Sequence, residues 1–175
     1  MLFTLLLLLM QTVQPALIYN FQKDASTSGW RVVDDSVMGG LSQGKLTTND
    51  AGHGVYSGTV SIENNGGFSS LRYRFDQTSV LDFTTIVLRI KGDGKRYQFR
   101  VKDKKGQYHS YITYFKTTGE WQDIEIKLAD MFPSFRGRKL SIPNFNHNQI
   151  EELAFLIGNK KAESFVLMID QIVMK

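Results

Sequence analysis

Ser70-Leu-Arg-Tyr-Arg-Phe75 carries the clearest secondary-structure signal in this chain, because apolar and charged side chains alternate along it. Successive side chains of an extended strand point to opposite faces, so the leucine, tyrosine and phenylalanine share one face. Arg72 and Arg74 lie on the other face. The segment therefore predicts a β-strand with one side in a hydrophobic core and a charged side in solvent.

Strand-like segments recur on both sides of this one, at residues 17–21, 30–33, 54–62, 86–90, 97–101, 108–115, 121–126, 153–157 and 165–173. Turn residues such as Gly92-Asp-Gly94 separate them, and glycine tolerates the backbone conformations of tight turns. Helical signal is confined to one turn at residues 128–132 and another at 148–152. We therefore predict an all-β fold, a β-sandwich or jelly roll with one or two short helical turns.

The length of 175 residues is that of one domain with a substantial core. Within the last strand-like segment, apolar residues at Phe165, Leu167, Ile169 and Ile172 predict a core strand whose loss would unfold the domain. Cysteine is absent from the sequence, which excludes disulfide bonds, thiolate metal sites and a cysteine nucleophile.

The net charge of +4 is modest, and the basic residues form short clusters at 102–105, 136–139 and 160–161. A protein that binds nucleic acid needs one continuous basic face. Scattered clusters are more typical of solvated loop tips. The sequence therefore predicts no nucleic-acid partner.

Residues 2–10 are apolar except for Thr4, and polar residues follow as far as Ala16. This apolar run is too short to span a bilayer as a helix and suits a signal peptide. We predict a signal peptide at residues 1–16 and one β-sandwich domain at 17–175, hence export to the periplasm or the medium. A buried strand or an uncleaved anchor is the alternative, and it would keep the chain on the cytoplasmic side of the membrane.

Gly40-Leu-Ser-Gln-Gly44 satisfies the G-x-S-x-G pattern of serine hydrolases. In those enzymes a strained turn between a strand and a helix exposes the serine. Residues 45–50 do not form an amphipathic helix, so we interpret the match at Ser42 as a coincidence.

Other candidate catalytic groups are equally unconvincing. His53, His109 and His147 are far apart in the sequence, and surface histidines are the default interpretation. Asp34 and Asp35 point to opposite faces of a strand unless the backbone bends, so they make a poor acid–base pair. A structural role is favoured, with Asp35 or Ser36 hydrogen-bonding the glycine loop that follows. We predict no catalytic residue, no metal site and no cofactor.

Aromatic residues allow two interpretations. Trp30, Tyr97, Tyr111, Tyr114 and Trp121 would suit a platform for stacking sugar rings. In a β-sandwich of this size most aromatic side chains belong to the core, and the core interpretation is favoured for each of the five.

Several landmarks occur in order along the chain. Asp34-Asp-Ser-Val-Met-Gly-Gly-Leu-Ser42 is followed by Glu63-Asn-Asn-Gly-Gly-Phe68 and Arg72, then by Gly92-Asp-Gly94 and Pro133-Ser-Phe-Arg-Gly137. This series resembles the complex I intermediate-associated protein 30 (CIA30) family over residues 19–174. The resemblance implies a galactose-binding-like jelly roll and no enzymatic activity. The named mitochondrial members of that family assist assembly of the membrane-bound NADH dehydrogenase.

The resemblance further implies that the two motif loops bind a partner. The residues concerned are Asp34, Asp35, Met38, Gly39, Gly40, Ser42, Asn64, Asn65, Gly66, Gly67, Phe68, Arg72 and Arg136. We expect the four glycines to adopt loop conformations closed to other residues and the asparagines to hydrogen-bond backbone within the loops. Two options stay open for Arg72 and Arg136: pairing with Asp34 or Asp35, or presentation to a partner.

A non-enzymatic binding module that assists assembly or folding of a membrane-associated complex is the leading hypothesis. Its partner would be a protein, and any membrane association would be peripheral and through that partner. The leader is leucine-rich and lacks the arginines of a mitochondrial transit peptide. An exported chain would not reach the cytoplasmic face where NADH dehydrogenase is assembled. The alternative hypothesis is therefore an exported carbohydrate-binding protein.

Overall fold

The computed structural model describes residues 14–23 and 25–175. Strands dominate this part of the chain, and no α-helix occurs in it. In chain order the strands are β1 (Ala16–Asn20), β2 (Trp30–Asp34), β3 (Gln43–Thr48), β4 (Gly54–Val60), β5 (Ser69–Ser79), β6 (Thr85–Gly92), β7 (Arg96–Lys102), β8 (Ser110–Lys116), β9 (Trp121–Lys127), β10 (Phe132–Phe135), β11 (Arg138–Lys139), β12 (Gln149–Ile157) and β13 (Glu163–Met174). Short 3-10 turns occur at Asp35–Met38, Glu63–Asn65 and Leu128–Asp130.

The strands form two antiparallel sheets. The smaller sheet has six strands in the order β3-β4-β13-β6-β9, with β1 also paired to β13. The larger sheet has seven strands in the order β11-β10-β8-β7-β12-β5-β2. Consecutive strands pair in β3–β4, β7–β8 and β10–β11, whereas other neighbours, such as β4 and β13 or β7 and β12, come from distant parts of the chain, which is typical of a jelly-roll sandwich.

One hydrophobic core lies between the sheets, and alternate residues of each strand contribute to it. The smaller sheet supplies Tyr56, Leu88, Phe165, Leu167 and Ile169, among others, and all of them are buried. The larger sheet supplies Leu71, Tyr97, Phe99, Leu153 and Phe155. Along β7 buried residues alternate with half-buried ones that point away from the core, whereas residues 152–157 of β12 are all buried.

The predicted final core strand is confirmed, since Phe165, Leu167, Ile169 and Ile172 of β13 are all buried. β13 pairs with β6 on one side. On its other side it pairs with β4 through residues 163–169 and with β1 through residues 171–174. The predicted helical turn at 128–132 corresponds to the 3-10 turn Leu128–Asp130. The second predicted turn, at 148–152, is wrong because this segment begins β12.

Three strands were not recognised in the sequence, namely β3, β10 and β11. β3 is polar, lies at the edge of its sheet and has no buried residue, and β11 has two exposed residues. β10 has four residues and buries Pro133 and Ser134. A strand with little buried surface needs no run of apolar residues.

The predicted signal peptide falls mostly on residues 1–13, which lie outside the described residues, and it stays a prediction. Ala16, its last residue, begins β1 opposite Met174. Within residues 14–23 and 25–175, no helix has the length and apolar character needed to cross a bilayer.

Candidate functional site

The two motif loops meet at the carboxylate of Asp35, which follows β2 and is buried. Its Oδ2 atom accepts hydrogen bonds from Ser42 Oγ at 2.6 Å, from the Gly67 backbone N–H at 2.6 Å and from the Phe68 N–H at 3.1 Å. Its Oδ1 atom accepts the Ser42 N–H at 3.1 Å. One acidic side chain therefore fastens residues of both loops together. The predicted structural role of Asp35 is confirmed.

Hydrogen bonding sets the ionisation of this carboxylate. Burial alone would raise the pKa of Asp35, but the hydrogen bonds from Ser42, Gly67 and Phe68 outweigh it and hold the pKa below its ordinary value. Asp35 is therefore ionised at neutral pH and stabilises the loop junction as an anion.

The motif glycines are required for two different reasons. Gly39 and Gly67 adopt positive φ angles of 83° and 138°, as predicted. Gly40 and Gly66 do not, and for them the prediction was wrong. A Cβ atom on either of these two would overlap the Asp35 carboxylate. They are glycines because the backbone approaches Asp35 closely.

Asp34, the last residue of β2, makes a second set of bonds. Its carboxylate accepts Ser69 Oγ at 2.5 Å and the Gly44 N–H at 2.9 Å. Tyr56, buried in the core, donates to Ser69 Oγ at 2.7 Å. Asp34 and Asp35 thus serve separate networks, which fits the expectation that adjacent carboxylates would not act as a pair.

Ser42 is an internal hydrogen-bonding residue. Its side chain is buried, donates to Asp35 and accepts the Ser61 N–H at 3.0 Å. The residues that follow it form β3, where a hydrolase would have a helix. The interpretation of G-x-S-x-G as a coincidence agrees with this environment.

The exposed residues that the structure describes in the motif loops are Ser36, Gly39, Leu41, Glu63, Asn64 and Asn65. Asn64 and Asn65 are exposed and adopt positive φ angles of 53° and 60°. The Asn64 side chain donates to the Gly39 carbonyl at 3.0 Å, so it joins the loops as predicted. The Met38 side chain lies outside what the structure describes. Most polar groups of these loops are used within the loops themselves.

Arg72 and Arg136 lie away from this junction. Among the described residues neither forms an ion pair with Asp34 or Asp35. Arg136 occupies the turn between β10 and β11, and its guanidinium lies over the Phe135 ring at 5.3 Å. Arg72 lies on β5, on the side opposite its buried neighbour Leu71. The structure therefore presents both arginines outward, and the predicted thirteen-residue site is divided.

Arg72 belongs to a cluster of cations on the outer side of the larger sheet. The strand register places Arg31 opposite Arg72, Arg72 opposite Ala154, and Ala154 opposite Arg100. In the next row Arg74 lies opposite Glu152, which lies opposite Lys102. We name this surface, formed by Arg31, Arg72, Arg74, Arg100 and Lys102, the basic face.

Glu152 provides the only carboxylate within these two rows, and it is buried with 3% of its surface exposed. Arg74 Nε lies 2.6 Å from Glu152 Oε2, and Lys102 Nζ lies 4.0 Å from Oε1. Five cations therefore face one carboxylate that already has its partners.

Burial and mutual repulsion perturb these cations. Burial lowers the pKa of Arg72, Glu152 opposes this effect, and Arg74 and Arg31 add to it. Burial, with repulsion from Arg72, lowers the pKa of Arg100 to about 10. Burial also lowers the pKa of Lys102. Arg72 and Arg100 stay cationic because arginine does not lose its proton in proteins, and Glu152 is the one carboxylate in the two rows.

A recess of about 330 Å³ opens on the basic face. Its lining consists of Ser28, Gly29, Arg31, Arg72 and Arg74. Three of the five residues are arginines, and their guanidinium groups are donors only. The recess can therefore take acceptor groups, such as the oxygens of a carboxylate.

The proposed aromatic platform does not form. Trp30, Tyr97 and Tyr111 are buried, and Trp121 lies on the other sheet, beside His53. Tyr114 alone of the five has a largely exposed side chain, with 45% exposure. Arg96 lies over its ring at 4.7 Å. The interpretation as core residues is confirmed for the three buried rings.

Two of the histidines, expected to be separate surface residues, come together. His147 contacts the Tyr111 hydroxyl through Nε2 at 2.7 Å and Asp103 through Nδ1 at 3.4 Å. His109 is buried, and its ring lies 5.2 Å from that of Tyr111. In the described part of the chain, no group of three His, Cys, Asp or Glu side chains could hold a metal ion.

The basic face was missed because its members are separated in the sequence. Arg72 and Arg74 alternate with core residues, as do Arg100 and Lys102. This alternation was the sequence pattern from which cations on the outer side of these strands could have been predicted. The topology of the sheet places β2, β5, β12 and β7 side by side, and this order could not be read from the local sequence pattern. The premise that the basic residues are only scattered was wrong.

Solved structures with this architecture include carbohydrate-binding modules. The chain is similar to a family 11 carbohydrate-binding module from Clostridium thermocellum, in complex with a β-1,3-1,4-mixed-linked tetrasaccharide. The TM-score is 0.69 at 17% identity, covering 93% of this chain and 96% of the module. It is also similar to part of an exo-β-agarase, with a TM-score of 0.56 at 13% identity, covering 91% of this chain and 24% of the agarase. These similarities show a galactose-binding-like jelly-roll β-sandwich.

Sequence comparison identifies the family. The mouse (Mus musculus) protein named complex I intermediate-associated protein 30, mitochondrial, is 25% identical over 181 residues, covering 90% of this chain. The chain spans 55% of the length of that relative. Residues 19–169 match the family described as complex I intermediate-associated protein 30. The chain therefore belongs to the CIA30 family.

Proposed function

We propose that this protein is a non-enzymatic binding module that engages a protein partner during assembly or folding of a membrane-associated complex. The basic face is its binding surface. The observation that carries this proposal is the row Arg31, Arg72 and Arg100, in which partly buried and exposed cations lie on one sheet surface with little negative charge nearby. Such a surface complements an acidic partner.

The motif loops are less suitable as the binding surface. Asp35 and Ser42 are buried, and their hydrogen-bonding groups are satisfied within the loops. Their role is to fix the end of β2 and the start of β5. Because Arg31 lies on β2 and Arg72 on β5, the loop junction supports the register that aligns the two arginines.

Family membership supports an assembly role. The mouse relative is named as a complex I intermediate-associated protein, and the chain spans 55% of it. By that resemblance the complex is of the NADH dehydrogenase type if the chain stays on the cytoplasmic side, and an exported chain would serve a different membrane-associated complex. Membrane association would be peripheral, through the partner, and no cofactor or metal is proposed.

A capture experiment tests the proposal. The tagged chain is immobilised and exposed to detergent-solubilised membranes of its source cells. We expect capture of subunits of one membrane complex by the wild-type chain and by R89A/K91A, which removes two cations from the outer side of the other sheet. We expect loss of capture by R72A/R100A. Absence of a reproducible partner for the wild-type chain would contradict the proposal.

Location decides which complex the protein serves. We propose export, with residues 1–16 removed and the domain beginning near Leu17. Mass spectrometry of the native N-terminus and cell fractionation test this proposal. A chain beginning near Leu17 in the periplasm or medium would exclude assembly work on the cytoplasmic face. An intact chain on the cytoplasmic side would support the NADH dehydrogenase role.

A second candidate function is carbohydrate binding by an exported protein. The similarity in fold to a family 11 module supports it, as does the exposed ring of Tyr114 on the outer side of the larger sheet. A broad glycan array with wild type and Y114A tests this candidate. Binding of a glycan that is lost in Y114A would support it, and failure to bind any glycan would reject it.

A further inference from the structure

The arrangement of the basic face is more specific than a general excess of charge. Arg31 and Arg72 lie on adjacent strands, and Arg72 and Arg100 lie on either side of β12. Strands in a sheet are about 4.8 Å apart, so the last two are separated by roughly 10 Å. Between them the strand carries Ala154, whose small side chain is buried. The three arginines therefore lie in one row across the sheet, and a shallow gap at Ala154 separates Arg72 from Arg100.

The positive charges of the arginines in this row repel one another, and a bound anion would compensate them. Arginine does not lose its proton in proteins, so Arg72 and Arg100 cannot escape their mutual repulsion by becoming neutral. Glu152 is engaged by Arg74 at 2.6 Å and lies in the neighbouring row. Gln98 Oε1 already accepts hydrogen bonds from Arg100 Nε at 3.1 Å and Nη2 at 2.6 Å. Bound carboxylates would relieve the repulsion by forming bidentate, charge-assisted hydrogen bonds with Arg72 and by accepting from the Arg100 donors that Gln98 leaves free.

Resting on the proposed function, we infer that the basic face binds an acidic polypeptide segment. One of its carboxylates occupies the recess lined by Arg31, Arg72 and Arg74, and a second binds Arg100. Charge complementarity is the first argument, since the recess is lined by three arginines and by no acidic residue.

The adjacent row of the sheet supplies the second argument. The row next to the arginines has one residue from each of β2, β5, β12 and β7, namely Val33, Ser70, Leu156 and Gln98. Val33 is half-buried and apolar, whereas Leu156 and Ser70 are buried. A polypeptide can place an apolar side chain against Val33 and carboxylates on the arginine row. A sugar chain or a phosphodiester backbone has no apolar side chains to contribute.

Neutral glycans fit the basic face poorly. Sugar hydroxyls donate and accept hydrogen bonds, whereas this surface offers mainly donors. Sugar rings also stack on exposed aromatic rings. The two aromatic residues on the same side of the sheet, Tyr114 and Phe132, have Arg96 at 4.7 Å and Lys139 at 5.3 Å over their rings.

Nucleic acid is also disfavoured. Single strands are bound by basic grooves combined with rings on which bases stack. The five residues of the basic face form a compact patch of two rows, and no aromatic residue occurs in either row between β2 and β7. Nucleic acid and anionic glycan are therefore competing outcomes of the test.

Fluorescence anisotropy with the intact protein is the experiment. The probes are a labelled peptide of alternating glutamate and valine, its glutamine–valine counterpart, an oligogalacturonate and a single-stranded oligonucleotide. We expect the acidic peptide to bind more tightly than all the others, and its affinity to fall as salt is added. R72A/R100A should weaken binding by about tenfold or more, whereas R89A/K91A should bind like wild type.

Folding of R72A/R100A is verified by its thermal unfolding transition, and R72K/R100K provides a second variant that keeps the charge. We expect the lysine variant to recover part of the affinity, because lysine lacks the bidentate geometry. Three results would each overturn the inference. They are an equal loss of affinity in R89A/K91A, tighter binding of the oligogalacturonate or oligonucleotide than of the acidic peptide, and no measurable binding of the acidic peptide.

These outcomes are separable from those of the proposed function. If the wild-type chain captures a membrane complex and R72A/R100A captures it equally well, the basic face is not the binding surface and the acidic-segment inference fails, whereas the assembly role itself stands. If the acidic peptide binds at the basic face but no complex is captured, the site stands and the proposed function fails.

Discussion

The Asp35 carboxylate accepts a 2.6 Å hydrogen bond from the backbone N–H of Gly67, which lies 32 residues further along the chain. This bond joins the loop after β2 to the loop before β5, and the two strands pair directly beyond it. Asp35 is buried, so the bond is charge-assisted and shielded from water. The two motif loops are thus joined next to the paired strands that carry Arg31 and Arg72.

Replacement of Asp35 tests this relationship. Asp35→Asn removes the negative charge and substitutes donors for one of the two acceptor oxygens, so the N–H groups of Ser42, Gly67 and Phe68 cannot all be satisfied. We expect the free energy of unfolding to fall by about 2–3 kcal/mol, measured by urea denaturation. Asp82→Asn, at an exposed aspartate, is the matched control. A change of the same size in both variants would contradict the prediction.

Because the backbone of Gly40 lies close to the Asp35 carboxylate, a methyl group added at residue 40 should destabilise the fold. Gly40→Ala places a Cβ atom against the carboxylate, and we expect destabilisation of about 1–3 kcal/mol. Gly106→Ala is the control, because a Cβ there meets open space. In D35A/G40A the overlap with the carboxylate is removed and only a 2.9 Å approach to the Cβ atom of residue 35 remains, so the destabilisation should be less than the sum of the single effects. Additivity in this double-mutant cycle would show that the two residues do not interact.

Burial of His109 predicts a pH dependence of stability. Burial, together with His147 and Lys102 and against the effect of Asp103, holds the folded-state pKa of His109 below its ordinary value of 6.5. The unfolded chain therefore binds this proton more readily than the folded chain. The contribution of neutral His109 to stability is complete above that ordinary value and is lost as pH falls below it.

Urea denaturation at about pH 7.5 and about pH 5 measures this dependence. We expect the wild-type chain to lose stability on acidification, and H109Q to lose less. His53→Gln is the control, since His53 lies on the other sheet against Trp121. Equal losses in wild type and H109Q would contradict the assignment of the effect to His109.

Replacement of Glu152 should lower the stability of the fold and raise the affinity for the acidic peptide. Glu152→Gln removes the buried charge that pairs with Arg74 at 2.6 Å, and we expect a loss of about 1.5–3 kcal/mol in the free energy of unfolding. The basic face then lacks its one carboxylate, so the affinity for the acidic peptide should rise severalfold. Glu125→Gln, in an exposed pair with Lys175, should change stability by less than about 1 kcal/mol. Weaker peptide binding by E152Q, in a folded protein, would contradict the prediction.

The strand content of this protein was predictable because alternation is a local property. In Ser70-Leu-Arg-Tyr-Arg-Phe75 the side-chain period of two follows from strand geometry alone, and β5 has the predicted faces. The same reasoning located β7 and β13. It failed for β3 and for the beginning of β12, where little apolar surface or a helix-compatible composition removed the local signal.

The candidate site was predictable only in part. The motif residues Asp35, Gly40 and Gly67 were recognised from their order in the sequence, but the carboxylate contact that explains all three joins distant segments. The basic face depends still more on topology, because Arg31, Arg72 and Arg100 lie on three different strands, and β12 lies between two of them. Side-chain alternation along a strand is local and can be read directly. Which strands become neighbours depends on the packing of the whole chain, and that packing placed the arginines in one row.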